Sequence, residues 1–445
     1  MIDIKLVRQA PQRYKDAARN KRVACDIDAL CALDDRRRSL QKELDDLKHA
    51  QNETSAQIAH YKNPKSKWHQ EQLAKGRAAA DLQAEGQKLV DQVAGMKARV
   101  KELEEQSRQV NEQFEAMMLT VPQPPADEVP IGPDETGNLE LRKAGEPPKS
   151  DFAIKDHVAL MTDLGMLDLE RGVKLAGTRN YVLRGDGVAL HRAVLQLAVD
   201  LMADRGYTQL FVPVLVRDAM MVGTGYFPGG EEQAYRCERD EMSLVGTAEV
   251  PLTAYHGDEI LSEDDLPRKY FALSPCFRRE AGAAGKDTYG LYRIHYFEKV
   301  EQVVICRNDE KTSIEHHREI LQNAEDLLAR LELPYRVVNV CTGDLGQGQV
   351  QKFDIETWMP SRGGYGETHS ASRFYEYQAR RLKLRYRSRD KSIHYCHTLN
   401  NTVIASPRVL IALVENHQTP DGRIRVPKAL RPYLGGREII GENQP

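Results

Sequence analysis

Two stretches of the first 120 residues repeat apolar positions at alternating steps of three and four. This heptad spacing is typical of helices that pack together in a coiled coil. Between the stretches, NPKS at residues 63–66 contains a helix-breaking proline, and Asn63 or Ser66 can cap a helix. The pattern predicts two long helices, each about 50 Å long, folded by a short turn into an antiparallel hairpin. The repeating apolar residues are Leu30, Leu33, Leu40, Leu44, Leu47, Ile58 and Tyr61, then Leu82, Leu89, Val93, Met96, Val100, Leu103, Val110, Phe114 and Met117.

The turn of this hairpin is basic and aromatic. Its sequence, YKNPKSKW, places Lys62, Lys65 and Lys67 beside Tyr61 and Trp68. Such a set suits contact with a nucleic-acid backbone and exposed bases. The alternative is a rod that only spaces or oligomerises, as most coiled coils do. After the second helix, the proline-rich TVPQPPADEVPIGPDETG predicts an extended linker.

Farther along, alternating aromatic and β-branched residues predict two strands, KYFALSPCFRRE and YRIHYFEKVEQVVI, joined by the glycine-rich AGAAGKDTYG. We expect an antiparallel pair. Alternate strand residues share a face, so Arg278 and Glu280 should point one way, as should Phe297, Lys299 and Glu301. This charged and aromatic face is either solvated, with surface ion pairs, or a cradle for an anionic ligand with a flat ring, such as a nucleotide.

The remainder, from about residue 151, mixes amphipathic helices and short strands without regular βαβ alternation. An antiparallel sheet is therefore favoured over a doubly wound one. HRAVLQLAVDLMADRGY at residues 191–207 predicts a helix, and FVPVLV at 211–216 predicts a strand interrupted by Pro213, which belongs at an edge or an interface.

Two short motifs combine hydroxyl and carboxylate groups. VGTAEVPLT is predicted to place Thr247 and Glu249 on one strand face, and GGYGETHSAS brings Glu367 and Ser370 together after a glycine-rich turn. The hard oxygens of the second motif, those of Glu367 and Ser370, are of the kind that bind Mg²⁺ next to phosphates. A polar strand end explains the second motif equally well.

A third motif, HTLNNTVIASPRVLIALVENHQ, predicts a strand followed by a buried helix. Asn400 and Thr402 share a strand face, and Ser406 is expected to cap a helix whose first turn contains Pro407 and Arg408. An arginine at the N-terminus of a buried helix indicates a phosphate site, because the helix dipole also favours negative charge there. A buried ion pair is the competing explanation.

Composition narrows the possibilities. Lys+Arg of 63 against Asp+Glu of 66 gives a net charge of −3, so any nucleic-acid surface must be local. We expect no membrane span and a cytoplasmic protein.

The 7 cysteines contain no CxxC pair and indicate neither a disulfide framework nor a zinc site. His394, Cys396 and His397 should alternate across strand faces, which argues against metal binding there.

Together these motifs resemble a known family. CFRREAG and HYFEKVE resemble the second signature of class II aminoacyl-tRNA synthetases, the helix and strand ending at Pro213 resemble the first, and the stretch ending in Arg408 resembles the third. GTAEVPLT, the ETHS segment, QARRLKLRYR and the N-terminal hairpin are similar to those of bacterial-type seryl-tRNA synthetases. The resemblance implies an α+β fold. Residues 1–118 would form a tRNA-binding antiparallel α-helical coiled-coil hairpin, and residues 119–445 a class II catalytic domain with a central antiparallel β-sheet flanked by helices.

The resemblance also implies site residues. Arg278 would bridge the α-phosphate and the amino-acid carboxylate, Arg408 would face the γ-phosphate, and Phe297 would stack on adenine. The remaining implied ATP contacts are Arg279, Glu280, Ile294, Glu367, Thr368, His369 and Ser370. Mg²⁺ would bind at Glu367 and Ser370. The implied serine contacts are Thr247, Ala248, Glu249, Arg278, Glu301, Asn400 and Thr402.

The same resemblance implies a homodimer that activates L-serine with ATP and Mg²⁺ and charges tRNA(Ser) and tRNA(Sec), with Lys62, Lys65 and Lys67 contacting tRNA. Some residues depart from the family pattern: Tyr296 replaces a usual Gln, residues 371–373 (Ala-Ser-Arg) replace a common Cys-Ser-Asn, and Asn401-Thr402 replaces Gly-Ser. A carrier-protein loading enzyme and a non-catalytic adaptor remain alternatives. The former should lack the hairpin, and the latter should have lost Arg278, Glu280 or Arg408.

Overall fold

A computed structural model of the chain describes residues 2–282 and 289–441. Its residues form two compact units. One unit, which we call the arm, comprises Ile4–Lys15 and Cys25–Val121. The other, the large unit, comprises Met1–Asp3, Asp16–Ala24 and Pro122–Pro445. Of the predicted glycine-rich loop, residues 283–288 lie outside the described part of the chain.

The helices and strands are numbered in chain order. The helices are α1 (Ile4–Gln9), α2 (Pro11–Asn20), α3 (Ile27–Lys62), α4 (Lys67–Ala74), α5 (Ala79–Thr120), α6 (His157–Asp163), α7 (Leu169–Ala176), α8 (Asp186–Asp204), α9 (Asp218–Thr224), α10 (Glu249–Ala254), α11 (Glu310–Arg330), α12 (Tyr377–Leu382) and α13 (Arg408–Asn416). The strands are β1 (Leu139–Ala144), β2 (Leu167–Asp168), β3 (Val182–Leu183), β4 (Thr208–Gln209), β5 (Leu215–Arg217), β6 (Tyr235–Cys237), β7 (Met242–Leu244), β8 (Ile260–Ser262), β9 (Arg268–Phe277), β10 (Tyr296–Cys306), β11 (Tyr335–Asn339), β12 (Gln351–Met359), β13 (Gly364–Arg373), β14 (Arg385–Arg387), β15 (Ile393–Tyr395), β16 (His397–Ser406), β17 (Ile424–Arg425) and β18 (Ile439–Ile440).

In the arm, α3 and α5 pack along the predicted heptad positions. Leu40, Leu44, Leu103 and Val110 form one buried apolar cluster, and the carboxylate of Asp26 caps α3 by accepting from the Ala29 N–H at 2.9 Å. The predicted helical hairpin is confirmed. Its connection is longer than the expected short turn, because α4 is inserted and Ser66 caps α4 by accepting from the His69 N–H at 3.1 Å.

An 8-stranded sheet forms the centre of the large unit, in the order β1-β11-β12-β13-β16-β10-β9-β4. The predicted β9–β10 antiparallel pair is confirmed. Among the described strands of this sheet, only the short edge strand β4 pairs in parallel, with β9. The predicted antiparallel sheet is therefore correct except at this edge.

Helices α8, α11 and α13 cover one face of this sheet. Leu201 of α8, Leu327 of α11 and Leu410 of α13 belong to the same buried core as Val304 and Val403 of the central strands. Alternate residues of those strands must point to the other face. Part of the opposite face packs against α10 and α12, since Leu252, Val303 and Ala379 belong to a second buried cluster. The rest of that face is available for polar side chains.

One predicted strand is shorter than expected and another is wrong, and both differences have local causes. The predicted interruption at Pro213 is confirmed, and β5 lies at the edge of a 3-stranded sheet. The 211–216 segment is a strand only from Leu215, because Pro213 has no N–H to donate. Thr247 and Glu249 do not share a strand: β7 ends at Leu244, and Glu249 begins α10. Pro251 lies in the first turn of α10, where no donor is required.

Helix boundaries near the first and third motifs also differ from expectation. Helix α8 spans Asp186–Asp204 and not residues 191–207. Ser406 does not cap α13. It is the last residue of β16, the cap position is Pro407, and no side chain bonds there. The Ser406 hydroxyl instead lies 2.7 Å from Nδ1 of His191.

Candidate active site

A cavity of about 240 Å³ opens on the polar face of the sheet. Most of the residues expected to bind ATP or serine line it, although they come from separate strands and loops. These are Thr247, Glu249, Arg278, Glu280, Ile294, Phe297, Glu301, Glu367, Thr368, His369, Ser370, Asn400, Thr402 and Arg408. Lys299, predicted on the same strand face as Phe297 and Glu301, also lines it. Other lining residues were not anticipated for the site, namely Tyr226, Leu291, Tyr292, Gln349, Ser372 and Ala405.

One end of the cavity is built around two carboxylates. Nδ2 of Asn400 donates to Glu249 at 3.1 Å and to Glu301 at 3.0 Å, while Oδ1 of Asn400 is buried without a partner among the described residues. Lys299 forms an ion pair with Glu301 and donates to the Thr247 hydroxyl at 2.6 Å. We call these five residues the carboxylate cluster. A buried orphan acceptor next to two carboxylates can receive a small ligand with ammonium or hydroxyl donors.

Glu249 has a further partner behind it. Nε2 of Gln378 donates to Glu249 at 2.7 Å, and the Thr398 hydroxyl donates to Oε1 of Gln378 at 2.6 Å, so the carboxylate is held in one orientation. Burial, together with the nearby charge of Glu301, raises the pKa of Glu249 to about 7. A cationic ligand would restore the ionised form.

The other end of the cavity is rich in arginine. The Arg278 guanidinium lies 5.2 Å from the Phe297 ring centroid, and Nε donates to the Gly246 carbonyl at 3.3 Å. Arg408 lies 4.4 Å from the Tyr292 ring and donates to the backbone carbonyls of Tyr292 and Glu367. It makes no ion pair with a carboxylate in the described part of the chain, contrary to the alternative of a buried ion pair. Cations that face a cavity without a carboxylate partner suit a polyanion.

Strand β13 supplies the hydroxyl and carboxylate oxygens between these ends. Although burial opposes ionisation, neighbouring Arg408 and Lys352 keep the pKa of Glu367 below its ordinary value. Burial lowers the pKa of His369 to about 4, so the ring is neutral near pH 7. His369 bonds to Thr368 at 2.8 Å and to the Val403 carbonyl at 3.0 Å, which fixes its ring in place.

An acidic residue of the neighbouring strand lies beside these oxygens. Asp354 is opposite Ser370 across the β12–β13 pair. Its Oδ2 lies 3.3 Å from Nζ of Lys352, whereas its Oδ1 is buried without a partner among the described residues. A buried carboxylate oxygen without a donor is costly unless a ligand or a cation satisfies it.

Two predicted residues lie outside the cavity lining. Ala248 is fully buried beneath it. Arg279 points to the surface, where Nη1 lies 3.5 Å from Glu232. Strand β9 ends at Phe277 and Glu280 has a φ of +49°, so strand alternation does not relate Glu280 to Arg278, although both line the cavity. Glu280 accepts from Arg293 at 3.2 Å.

The positions that depart from the family pattern have different environments. Asn401 faces the helices and donates to the Ile320 carbonyl at 2.6 Å, whereas Thr402 faces the cavity. Arg373 is fully buried, and its Nη2 donates to Gln351 at 3.2 Å and to Glu128 at 3.3 Å. Tyr296 is 40% exposed outside the cavity. Of these positions, Thr402 and Ser372 therefore line the cavity.

Other residues singled out from the sequence do not line this cavity. In the described residues no group of three or more His, Cys, Asp or Glu side chains is arranged to hold a metal ion, and His394 lies 2.6 Å from the Ser392 hydroxyl. In the arm, Lys62, Lys65 and Lys67 are exposed around the α3–α4 connection. Among the residues that the structure describes, no helix has the length and apolar character needed to cross a membrane.

Lys299 was predictable as a lining residue because it alternates with Phe297 and Glu301 on β10. Gln349 and Tyr226 carried no comparable signal. They lie outside helices and strands, where no periodicity indicates the direction of a side chain.

The antiparallel sheet with an arginine-rich, carboxylate-containing cavity has the form of a class II aminoacyl-tRNA synthetase core. Residues 235–417 match the family described as "tRNA synthetase class II core domain (G, H, P, S and T)". Residues 1–125 match "Seryl-tRNA synthetase N-terminal domain". The chain is 43% identical over 442 residues to the serine–tRNA ligase of Deinococcus radiodurans, covering 99% of both chains. It belongs to the seryl-tRNA synthetase family.

Solved structures agree with this assignment. The seryl-tRNA synthetase of Pyrococcus horikoshii complexed with ATP superposes with a TM-score of 0.87 at 36% identity, covering 99% of each chain. The cytoplasmic serine–tRNA ligase of Naegleria fowleri in complex with AMP gives a TM-score of 0.82 at 30% identity, covering 97% of this chain and 95% of that one. The similarity thus includes both the arm and the large unit.

Proposed function

We propose that this protein activates L-serine with ATP and transfers the seryl group to tRNA(Ser). The observation that carries the proposal is the division of one cavity into a carboxylate cluster and an arginine-rich end. Serine requires acceptors for its ammonium and hydroxyl groups, and ATP requires cations for its phosphates. The family membership and the ATP and AMP complexes of the similar structures support the same assignment.

Serine would bind at the carboxylate cluster. Glu249 offers a carboxylate for the ammonium group, and Glu301, Thr402 and the orphan Oδ1 of Asn400 offer partners for the hydroxyl. Alanine lacks that hydroxyl and would leave these buried groups unpaired, which disfavours it. Thr247 is held by Lys299 and contributes to the wall, whereas Ala248 lies beneath it.

ATP would bind at the arginine-rich end. Arg278 would contact both the α-phosphate and the serine carboxylate, and adenine would stack on Phe297, whose ring centroid lies 5.2 Å from the Arg278 guanidinium. Arg408 would face the γ-phosphate. The remaining proposed ATP surface is formed by Glu280, Ile294, Thr368 and His369, and Arg279 would have to turn inward from its surface position to join it.

In this proposal, Glu367 and Ser370 would hold Mg²⁺ as oxygen ligands. They fit a divalent cation, because Glu367 is held ionised and because Asp354, which is opposite Ser370 and pairs with Lys352 through Oδ2, keeps a buried Oδ1 without a partner among the described residues. When bound, Mg²⁺ would neutralise phosphate charge.

The reaction needs positioning and charge neutralisation and no covalent enzyme intermediate. The serine carboxylate attacks the α-phosphorus of ATP, the bond to the β-phosphate oxygen breaks, and pyrophosphate leaves. A terminal ribose hydroxyl of tRNA then attacks the seryl-adenylate carbonyl and releases AMP. Arg278 would stabilise the charge that develops at the α-phosphate, and the fixed carboxylate cluster would hold serine in line.

The arm would bind tRNA(Ser), and tRNA(Sec) as well, through phosphates and RNA shape. Lys62, Lys65 and Lys67 are exposed, make no ion pair within the described residues and are available for such contacts. Residues 1–118 would thus serve recognition, and residues 119–445 catalysis.

A cytoplasmic homodimer is part of the proposal. The segment ending at Pro213 resembles the class II dimer motif, and the Phe211 side chain of the large unit is fully exposed. A second copy of the chain would cover this side chain. Sedimentation at working concentration tests the dimer, and an active monomer would contradict it.

The central experiment measures amino-acid-dependent ATP–pyrophosphate exchange and tRNA charging on the same preparation. We expect exchange with serine well above that with alanine, and charging of tRNA(Ser). Exchange without charging would favour a carrier-protein loader, and absence of both would favour an adaptor. Glu301→Ala with Thr402→Val should erode the preference for serine, whereas the exposed control Glu315→Ala should retain it.

A further inference from the structure

A glutamine outside the expected site reaches the carboxylate end of the cavity. Gln349 lines the cavity, and both polar atoms of its side-chain amide are hydrogen-bonded. The Gly346 N–H donates to Oε1 at 2.6 Å, and Nε2 donates to the Ser372 hydroxyl at 2.7 Å. Ser372 is paired across the sheet with Asn400 of the carboxylate cluster. Gln349 is therefore a fixed wall of the cavity near that cluster.

The backbone segment that carries Gln349 is bound by Lys21, which lies between the two chain segments of the arm, and by Gln123, which follows the arm. Nζ of Lys21 donates to three carbonyls of this segment, those of Gly346 and Gln347 at 3.2 Å and that of Gln349 at 2.5 Å. The Gln123 N–H donates to the Gln347 carbonyl at 2.9 Å. All of these residues belong to the large unit.

The side chain used for this contact is unusual for a packing role. Lys21 is 4% exposed and forms no ion pair within the described residues. Its buried amino group is therefore stabilised by hydrogen bonds to carbonyl oxygens and not by a carboxylate. Burial lowers the pKa of Lys21 to about 7, which reflects the cost of placing a cation here. An apolar side chain would fill the same space without that cost, but it could not orient three carbonyls at once.

The segment also has little freedom to shift. A Cβ at Gly348 would lie 2.4 Å from Cδ1 of Tyr377, so the backbone packs closely on that ring. With Tyr377 on one side and Lys21 bound to the carbonyls, the direction of Gln349 is set by the turn as a whole.

We propose that Lys21 is a positioning residue for the amino-acid end of the active site, acting through Gln349. It connects Asp16–Ala24, the stretch of the large unit between the two arm segments, to the wall beside the carboxylate cluster. The inference rests on the proposed function, in which that cluster binds serine.

The test compares Lys21→Met, Gln349→Ala and the double variant with the unmodified protein in pyrophosphate exchange. Loss of this hydrogen-bond set should raise the KM for serine about tenfold, and the KM for ATP should stay within about twofold because the arginine-rich end is unaffected. The double variant should resemble the single variants, since both changes act on the same wall. Arg19→Met is the matched control: it removes a largely exposed cation two residues before Lys21 and should leave both constants unchanged.

Equal rises in both KM values, unchanged KM for serine, or additive effects in the double variant would each overturn the proposal. If Lys21→Met does not fold, Ser372→Ala replaces it, because it removes the other anchor of Gln349 and must show the same selective rise. Serine-dependent exchange by the unmodified protein tests the proposed function separately, so failure of this positioning role leaves that result standing.

Discussion

The arm and the cavity are built from different kinds of contact: the arm from a local sequence repeat, and the cavity from residues distant in the sequence. In the arm, the packed residues follow a repeat along two continuous helices, and Leu40 and Leu44 meet Leu103 and Val110 through the same spacing on each helix. In the cavity, Asn400 binds carboxylates 99 and 151 positions away. A repeated local pattern therefore builds a recognition rod, whereas the chemistry depends on a sheet that brings distant residues together. Mutations should therefore be able to impair tRNA recognition without impairing the chemistry of the cavity, and the reverse.

Removing most of the arm should give the largest difference between tRNA charging and pyrophosphate exchange. Replacing residues 33–110 with a short flexible linker should lower tRNA charging by on the order of 10³-fold, because many phosphate contacts are lost together. Exchange with serine should remain within about twofold, since all the lining residues of the cavity lie in the large unit. Both assays should be run on one preparation. A parallel loss of exchange would show that the arm supports the cavity structurally.

Within the large unit, Arg408→Ala should impair ATP use while serine recognition stays normal. Loss of an oriented charge at the phosphates should lower the rate of exchange by about 10²-fold. The apolar faces of α13 are untouched, so the thermal unfolding temperature should hardly change. Arg389→Ala removes a largely exposed arginine and serves as the control. Normal exchange by a folded Arg408→Ala variant would exclude this arginine from the mechanism.

The KM for serine should depend on pH, whereas the KM for ATP should not. The pKa of Glu249 is raised to about 7. Below that pH the carboxyl group is protonated and cannot pair with the ammonium of serine, so the KM for serine should rise about tenfold per pH unit as the pH falls. Above it, the KM should be flat. Glu249→Gln should abolish the dependence, with the KM for ATP as internal control. A flat profile in the unmodified protein would refute the assigned role.

The smallest expected effect is at the tip of the arm. Changing Lys62, Lys65 and Lys67 together to Ala should lower charging about fivefold at low salt, and less at high salt, because exposed charges are screened. Exchange should be unaffected. Lys97→Ala changes an exposed lysine of α5, away from the α3–α4 connection, and provides a control for general charge. Charging that is unchanged at every salt concentration would place the tRNA contacts elsewhere on the arm.

The success of sequence-based prediction follows the same division. The heptads predicted α3 and α5, and strand alternation predicted β9, β10 and the direction of Phe297 and Glu301. The errors occurred where a proline or a glycine interrupts a pattern. Near Pro213 the strand shortens, after Gly246 the chain enters α10, and before Pro407 the strand β16 extends through Ser406.

The sequence by itself determined the elements whose order is local: the heptad helices of the arm, the paired strands and the residue types of the motifs. Only the tertiary structure decided which polar groups meet. Asn400 reaches two carboxylates, Arg279 points away from the cavity, and Gln349 enters it from a turn held by Lys21. The physical reason is that periodicity specifies the face on which a side chain lies, whereas strand register and loop packing specify what lies opposite.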